Sequence, residues 1–399
     1  MDNKKSYYKM IFFCIILITL LITLEVDAIS LPPDPDNAAL LYYQAFLLLP
    51  DYDSVLIDPV LRGANPDENV RDYFETSREA IKLTMNATEI PQCNWGIIYS
   101  QGAPNLTSIL LQLRNLVSLL ELDARILAVD GDSRTALERC LSLHNVAQHI
   151  SVEAIQGYLS SLALNKRVFL CIQHVLCTTS LDVYALKWLQ GQLATFVDPS
   201  ISLFRALEMD FEILLQSIRQ DQDILELLRE QLLENAVDEN TKNEFLKLTD
   251  DEMISLAREP YTSFSNAIFK TIGSNMSYID KYIEIQRLTN EFKEEYDSDP
   301  IISYVMFWSG VNSGQISDLH NLLVRSVSDL NAIKAATEIY LVKAETGQLP
   351  ETLPAHLLKD PYSNQDFEYE TTNQGFILRC KQKEIGKDEL MEYEFVVVQ

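Results

Sequence analysis

The chain is poor in glycine and lacks the short motifs that mark the common catalytic sites. Only 12 of its 399 residues are glycine, while 47% are hydrophobic. This composition excludes collagen-like and disordered proteins and predicts a folded chain with a large core. The sequence contains no Gly-x-Ser-x-Gly element of a hydrolase and no glycine-rich phosphate-binding loop. We therefore predict no catalytic residues, no cofactor and no enzymatic activity.

Basic residues are scarce relative to acidic ones. The chain has 32 Lys and Arg residues against 58 Asp and Glu residues, which gives a formal net charge of −26 at pH 7. A negative field of this size repels the phosphate backbone of nucleic acids. We therefore predict that nucleic acid is not a partner, and that most of the acidic side chains lie on solvated helix faces.

The longest uncharged apolar run, residues 10–24, lies near the amino terminus and follows three lysines. A basic flank, a run of this length and a small residue after it, Ala28, are typical of a secretory signal peptide. The run is shorter than the roughly 20 residues that span a bilayer, and an uncleaved anchor that holds residues 10–24 in the membrane is the alternative. In both cases residues 1–28 direct the rest of the chain out of the cytosol. We predict an extracytoplasmic, periplasmic location.

Hydrophobic residues recur with helical periodicity from residue 36 to about residue 345. Two helical segments flank Gly131, and this arrangement predicts a hairpin with residues spaced as in a tetratricopeptide repeat. The two segments are residues 106–129 and 134–150. We predict further helices at 70–85, 152–178, 181–195 and 200–234.

Changes in composition predict the domain boundaries. After a helical array at residues 29–234, the polar and acidic residues 235–249 predict a linker. More helices are predicted at residues 250–345, and the first of them begins where Thr249 and Glu252 have the spacing of a capping box.

The last part of the chain, residues 336–399, changes from helical to alternating patterns. Residues 367–371, 375–380 and 392–398 alternate polar and apolar side chains and predict three strands. The predicted fold is therefore mainly α, a tetratricopeptide-like array of helical hairpins. It ends in a small C-terminal α+β module that contains an antiparallel hairpin or three-stranded sheet.

Four elements of this module resemble the carboxy-terminal part of the major pseudopilins of type II secretion. They are the helical segment 335–340, the turn Gly347-Gln-Leu-Pro350, the loop Asp360-Pro361-Tyr362-Ser363 and the hairpin segment 369–378. The chain before them, with Pro91-Gln-Cys-Asn-Trp95 leading into the hairpin, resembles uncharacterised exported bacterial envelope proteins that join a helical array to such a module. The resemblance implies a fold and a location but no chemistry. Residues 10–24 lack the cleavage motif and the glutamate of pseudopilins.

The resemblance also implies a weak candidate calcium site, because pseudopilins often hold calcium in an acidic loop near the carboxy terminus. Glu384, Asp388 and Glu389 are the acidic residues at the corresponding place. Lys383 precedes Glu384 and Lys387 lies between Glu384 and Asp388, whereas calcium needs six to eight oxygen ligands. A solvated turn is the alternative.

Two cysteines and a histidine form the pattern Cys171-x-x-His174-x-x-Cys177 on a predicted helix. The two cysteines would lie about 9 Å apart along the helix axis, which is too far for one ion or for a disulfide bond between them. We therefore predict buried thiols and no metal. His144 and His149 would lie about 140° apart around their helix and face different ways.

The irregular segment 90–104 contains the best candidate for a ligand surface. Asn94, Trp95, Tyr99 and Gln101 combine aromatic and amide side chains in this segment. The alternative is a loop that packs onto the helices, since loops interrupt helical arrays without binding anything.

We predict a non-enzymatic interaction or scaffold protein of the bacterial cell envelope, with a protein or peptide as its partner. Helical hairpins offer extended surfaces for such partners. The first alternative is an accessory component of a type II secretion or pilus-like system, which rests on the resemblance of the C-terminal module. The second alternative is an envelope hydrolase of the carboxylate type, since pairs of acidic residues are frequent in the sequence.

Overall fold

The computed structural model describes residues 35–99, 106–151, 154–196, 199–236, 238–297, 299–308, 315–354 and 357–398. The predicted signal peptide or anchor, residues 1–28, lies outside these residues. None of the described helices is both long and apolar enough to cross a membrane. Helices make up most of the described chain and a small antiparallel sheet follows them, so the predicted fold class is confirmed.

Four short helices begin the described chain. Side-chain oxygens of Asn37, Asp53 and Asp67 accept hydrogen bonds from N–H groups in the first turn of three of them. These bonds satisfy donors that the start of a helix leaves without an intrahelical partner. The helix predicted at 70–85 is divided at Ser77 into two helices. The four helices are α1 (Ala38–Leu47), α2 (Ser54–Leu61), α3 (Glu68–Thr76) and α4 (Arg78–Thr88).

The next four helices are longer, and the first two form the predicted hairpin. Gly131 between them has φ of +85°, a left-handed conformation that glycine adopts without steric cost. The side chain of Asp132 then caps the second helix by accepting from the N–H of Thr135. These helices are α5 (Thr107–Val129), α6 (Ser133–Ile150), α7 (Ala154–Thr178) and α8 (Val183–Ala194).

Eight further helices lead to the C-terminal sheet. The helix predicted at 200–234 is two helices, because Asp221 caps the second of them by accepting from the N–H of Ile224. The segment 235–249, predicted as an acidic linker, contains α11, and Thr249 and Glu252 form the predicted capping box. The helices are α9 (Pro199–Gln220), α10 (Gln222–Glu234), α11 (Glu239–Phe245), α12 (Asp250–Ser255), α13 (Arg258–Ile272), α14 (Tyr278–Tyr296), α15 (Pro300–Trp308) and α16 (Gln315–Thr346).

Three antiparallel strands follow α16 in the order β1-β2-β3. They are β1 (Glu368–Thr371), β2 (Gly375–Arg379) and β3 (Glu392–Val396). Phe376 pairs with Phe395 across β2 and β3. A Cβ atom at Gly375 would lie 1.9 Å from the carbonyl oxygen of Phe395. The close approach of β2 to β3 therefore requires glycine at position 375.

The sheet packs against α7 and α16. The hydroxyl of Tyr340 donates to the carbonyl oxygen of Val396 at 2.6 Å, and Nε2 of Gln173 donates to that of Glu394 at 2.7 Å. These bonds join the C-terminal module directly to the helices.

Buried hydrophobic side chains form two main cores. The first core gathers side chains from α1 to α8, the C-terminal half of α16 and the sheet. The second core gathers side chains from α9 to α15 and the start of α16. A smaller cluster around Tyr158, Leu203 and Leu323 lies where α7, α9 and α16 meet.

Candidate functional site

The structure places Trp95, the centre of the predicted ligand surface, in the first core. Its side chain is 3% exposed and its ring stacks on Tyr42 with 5.3 Å between centroids. Its Nε1 donates to the carbonyl oxygen of His149 at 3.0 Å. A buried indole whose N–H is already bonded is a packing residue, and it leaves no ring face for a ligand.

The neighbours of Trp95 do not complete a binding surface. Asn94 is exposed, and its Oδ1 accepts from the N–H of Gly96, which stabilises the local turn. The hydroxyl of Tyr99 is buried without a hydrogen bond to a described residue. Gln101 lies outside the described residues. What the described residues form is a loop packed onto the helices.

The three acidic residues of the weak calcium candidate do not converge. Glu384 is 8% exposed and accepts from Nε of Arg325 at 2.9 Å. Asp388 and Glu389 are exposed, and Lys383 donates to the backbone carbonyl of Asp388. Within the described part of the chain, no three His, Cys, Asp or Glu residues are arranged to hold a metal ion.

The cysteines and the histidine of the α7 pattern also do not converge on one site. Cys171 is buried, with its Sγ 2.8 Å from Sγ of Cys140 on α6. Cys177 instead accepts from the N–H of Val396, with 3.3 Å between Sγ and N. Burial lowers the pKa of His174 to about 4, so its imidazole is neutral at pH 7. The cysteines do not pair with each other, as the helical spacing predicted.

The two histidines of α6 face different elements. Nδ1 of His144 is 2.8 Å from Oδ1 of Asn165 on α7. Nδ1 of His149 is 2.9 Å from the hydroxyl of Tyr42 on α1. Burial lowers the pKa of both histidines. Both are partnered core residues, and neither belongs to a reactive pair.

A groove of about 610 Å³ between α5 and α7 is the best candidate for a functional site. That volume lies within the range of about 300–1,000 Å³ that is typical of ligand sites. Apolar side chains dominate the groove, and Leu111 and Leu159 are 53% and 36% exposed. We call it the α5–α7 groove. It is lined by Thr107, Leu110, Leu111, Leu113, Arg114, Gln156, Leu159, Ser160, Ala163, Leu164 and Arg167.

The spacing of residues along α7 creates this groove. Gln156, Leu159, Ala163 and Arg167 succeed one another at intervals of three or four and therefore lie on one helix face. The short side chain of Ala163, between longer ones, leaves space above the helix.

The charge of the α5–α7 groove is opposite to that of the whole chain. Two of its described lining residues, Arg114 and Arg167, are basic and none of the described ones is acidic, although the chain carries a net charge of −26. Arg114 is exposed and forms no ion pair with a described residue. The groove therefore combines an apolar floor with a local positive charge.

A buried ionic network holds Arg167 in place. Nε of Arg167 donates to Oε2 of Glu121 at 2.9 Å, and Nη2 donates to the hydroxyl of Ser118 at 3.1 Å. Oε1 of Glu121 also accepts from Arg125 at 3.0 Å. A charged side chain with several such bonds loses little further freedom when a ligand binds.

The sequence contains a weak signal for this groove. Leucine and alanine at helical spacing in residues 107–114 and 156–164 predict a core-facing surface, and that is how most such patterns fold. The two arginines interrupt the apolar face at Arg114 and Arg167. Only the packing of α7 beside α5 shows that this part of the face stays open.

Comparisons with protein families, characterised proteins and solved structures find no match to this chain. The resemblance to pseudopilins and to exported envelope proteins therefore stays a prediction.

Proposed function

We propose that this protein is a non-enzymatic interaction protein of the bacterial cell envelope that binds an acidic, amphipathic peptide segment of a partner protein in the α5–α7 groove. The observation that carries the proposal is the groove itself, which is apolar along its floor and whose described lining includes two arginines and no acidic residue. The location rests on the signal-like character of residues 1–28.

The shape and charge of the groove favour a peptide with a short helix. A groove between two helices accepts the apolar face of a third helix, whose side chains at intervals of three and four residues enter it. Leu111 and Leu159 supply the apolar contact, and Arg114 supplies charge for Asp or Glu side chains. Arg167, whose charge is balanced by Glu121, offers hydrogen-bond donors. Complementary charge adds selectivity to contact between apolar surfaces.

Selection from a random peptide library tests this function without knowledge of the partner. We expect wild-type protein to enrich peptides that combine Leu, Ile or Phe with Asp or Glu. Binding of these peptides should weaken at least about tenfold in Leu159→Asp and Arg114→Glu, since a tenfold change corresponds to about 1.4 kcal/mol. The matched control is Leu170→Asp, because Leu170 is 47% exposed on the same helix and does not line the groove.

Two outcomes would contradict the proposal. One is a library that yields no enriched peptide, and the other is a set of peptides that bind the two groove variants as tightly as they bind Leu170→Asp. If palmitate binds in the groove and no peptide is selected, the peptide proposal is wrong and the occupant is a fatty acid.

We further propose, as a second function, an accessory role in a type II secretion or pilus-like system. The long helix α16, which leads through a turn into three antiparallel strands, supports this candidate because the sequence of this region resembles that of major pseudopilins. Cells that lack the protein should export less of their type II secretion substrates than the parent strain. Unchanged export would remove this function and leave the peptide-binding function unaffected.

A further inference from the structure

A second cavity, of about 520 Å³, lies between three segments that are far apart in the sequence. The first is the turn between α13 and α14, the second is the start of α16 around His320, and the third is residues 361–364 together with Gln382. We call it the His320 cavity. Its volume lies within the range of small-molecule sites. Unlike the α5–α7 groove, it is lined by many polar groups.

His320 is the most unusual residue of this cavity. Its side chain is 2% exposed, yet neither ring nitrogen has a hydrogen bond of normal geometry with a described residue, although the nearby backbone of Tyr278 interacts with the ring and opposes the lowering of its pKa by burial. A buried polar group without a partner costs about 1–3 kcal/mol. Buried polar atoms in folded proteins almost always have a partner. Two such atoms on one side chain that lines a cavity therefore indicate that a bound molecule supplies the partners.

The protonation state of His320 determines what it can bind. Burial is the main cause that lowers its pKa to about 4, and the positive charge of Lys281 lowers it further. The imidazole is therefore neutral at pH 7 and offers one N–H donor and one nitrogen acceptor. Its ring stacks on Tyr278 with 5.7 Å between centroids, which fixes the plane of the imidazole.

Gln382 supplies a second donor without a partner. The side-chain amide nitrogen of Gln382 is buried and makes no hydrogen bond with a described residue. Gln382 reaches the cavity from the segment after β2, while His320 reaches it from α16. Two different elements of the fold thus each bring to the His320 cavity a hydrogen-bond donor that has no described acceptor.

One charged side chain lines the described part of the cavity, and its charge is positive. It is Lys281, and no Asp or Glu is among the described lining residues. Nζ of Lys281 donates to the carbonyl oxygen of Ile272 at 2.7 Å, which holds the ammonium group at the wall.

Three acidic side chains accept hydrogen bonds from residues that line the cavity, and the first of them is Asp280, which accepts from the hydroxyl of Ser277. Glu384 accepts from Arg325 and from the hydroxyl of Tyr362. Asp360 accepts from Ser363 and from the backbone N–H of Lys381. None of these carboxylates is among the described residues that line the cavity, and Glu384 is paired with Arg325. The charged group that faces the cavity from its described lining is therefore the ammonium group of Lys281.

We propose that the His320 cavity binds a small organic carboxylate. The anionic oxygens accept from the Gln382 amide and from the N–H of His320 and face the charge of Lys281. The body of the ligand lies against the rings of Tyr278 and Tyr362. A carboxylate fits better than a neutral amide, because hydrogen bonds to an ionised acceptor are about twice as strong.

Three ligands of equal size and different charge test this proposal in the full chain. Isothermal titration calorimetry with benzoate, benzamide and benzylamine compares charges of −1, 0 and +1 on one ring, and succinate and citrate extend the carboxylate series. We expect at least one of the carboxylates to bind and benzylamine not to bind. If benzoate is a carboxylate that binds, benzamide should bind at least about tenfold more weakly than benzoate. The ¹⁵N signals of the His320 ring should shift on addition of the carboxylate that binds.

Variants then place the ligand in the cavity. His320→Asn and Gln382→Leu should each weaken carboxylate binding at least about tenfold. The matched control is Leu322→Gln, because Leu322 is 39% exposed on the same helix and does not line the cavity. If His320→Asn does not fold, the imidazole shifts of the wild-type protein remain as the readout. The proposal is wrong if no carboxylate binds, if benzylamine binds as tightly as benzoate, or if ligand addition leaves every imidazole signal unchanged.

Discussion

The two main cores of this protein hold their charged groups in different ways. Beside the first core, the carboxylates of Glu121, Asp123 and Glu384 are at most 8% exposed and each is bonded to an arginine. Beside the second core, every carboxylate in a described ion pair is at least 30% exposed. A buried ion pair and an exposed one use the same chemistry, but only the buried pair leaves a costly charge when one partner is lost.

The cores also differ in cysteine content. All five described cysteines lie in or against the first core, and the described second core contains none. Both cores contain stacked rings, with 4.0 Å between the centroids of Phe211 and Tyr261 in the second and 5.0 Å between those of Phe376 and Phe395 in the first. The first core should therefore respond to the loss of a charge and to oxidation, whereas the second should respond mainly to the loss of apolar volume.

The largest expected effect on stability comes from a substitution that breaks the buried ionic network of the first core. Glu121→Gln removes the charge that neutralises Arg125 and Arg167, whose side chains are 7% and 24% exposed. Because an uncompensated charge would remain buried, we expect the free energy of unfolding to fall by about 3–5 kcal/mol. Urea denaturation followed by circular dichroism measures this change.

The matched control lies beside the second core. Glu291→Gln removes one of two carboxylates that bind the exposed Arg287, and Glu284 remains. We expect a loss below about 0.5 kcal/mol. Losses of similar size in the two variants would show that the difference in burial between the cores has no energetic consequence.

The next largest effect is oxidation within the first core. Sγ atoms of Cys140 and Cys171 lie 2.8 Å apart on α6 and α7, and burial is the main cause that raises the pKa of Cys140 well above its usual value. The buried thiols should therefore not react in the folded protein, but refolding with glutathione disulfide should join them, with glutathione reduced to its thiol form. For a loop of this length the bond should stabilise the fold by about 3–4 kcal/mol.

Intact-mass measurement and peptide mapping check this prediction. We expect the loss of two hydrogens and one linked peptide pair that contains Cys140 and Cys171. Cys140→Ser should abolish the linked pair, whereas Cys93→Ser should leave it unchanged. A bridge between any other two cysteines would contradict the geometry of α6 and α7.

Local signals in the sequence predicted most of the fold. The capping box at Thr249 and the turn at Gly131 were found because each needs only a few neighbouring residues. The three strands were found because their alternation is short and regular. Asp221 was missed as a helix start because it lies inside a continuous helical pattern, where an acidic residue on a solvated face looks the same as a cap.

The candidate sites depend on contacts that no local pattern contains. For Trp95 the sequence left open a ligand surface and a loop packed onto the helices, and the second is found because Tyr42 and His149 from two other helices enclose the ring. His320 reads as an isolated histidine in a helix, and Gln382 as a polar residue after a strand. Their meeting in one cavity follows from the packing of α16 against the C-terminal module.

The smallest expected effect concerns the pH dependence of two carboxyl groups, the buried Asp329 beside the first core and the half-buried Asp210 beside the second. Burial raises the pKa of Asp329 and of Asp210 to about 6. The folded protein therefore binds protons more tightly than the unfolded chain between about pH 4 and pH 6. The contribution of each group to stability is fully present below pH 4 and is lost as the pH rises through 6.

For Asp329 this loss should amount to about 1–3 kcal/mol, since one pKa unit corresponds to about 1.4 kcal/mol. Buried histidines such as His144, whose pKa is lowered to about 4, act in the opposite direction because they favour the folded state as the pH rises from 4 to 6.5. Comparison with Asp329→Asn isolates the carboxyl group, and the variant should gain stability relative to wild type between pH 4 and pH 7. Asp329 also accepts a hydrogen bond of 2.9 Å from the Tyr393 hydroxyl, and this bond lowers its pKa. Tyr393→Phe should therefore raise the pKa of Asp329 further. A stability difference between wild type and Asp329→Asn that does not change with pH would contradict the assignment.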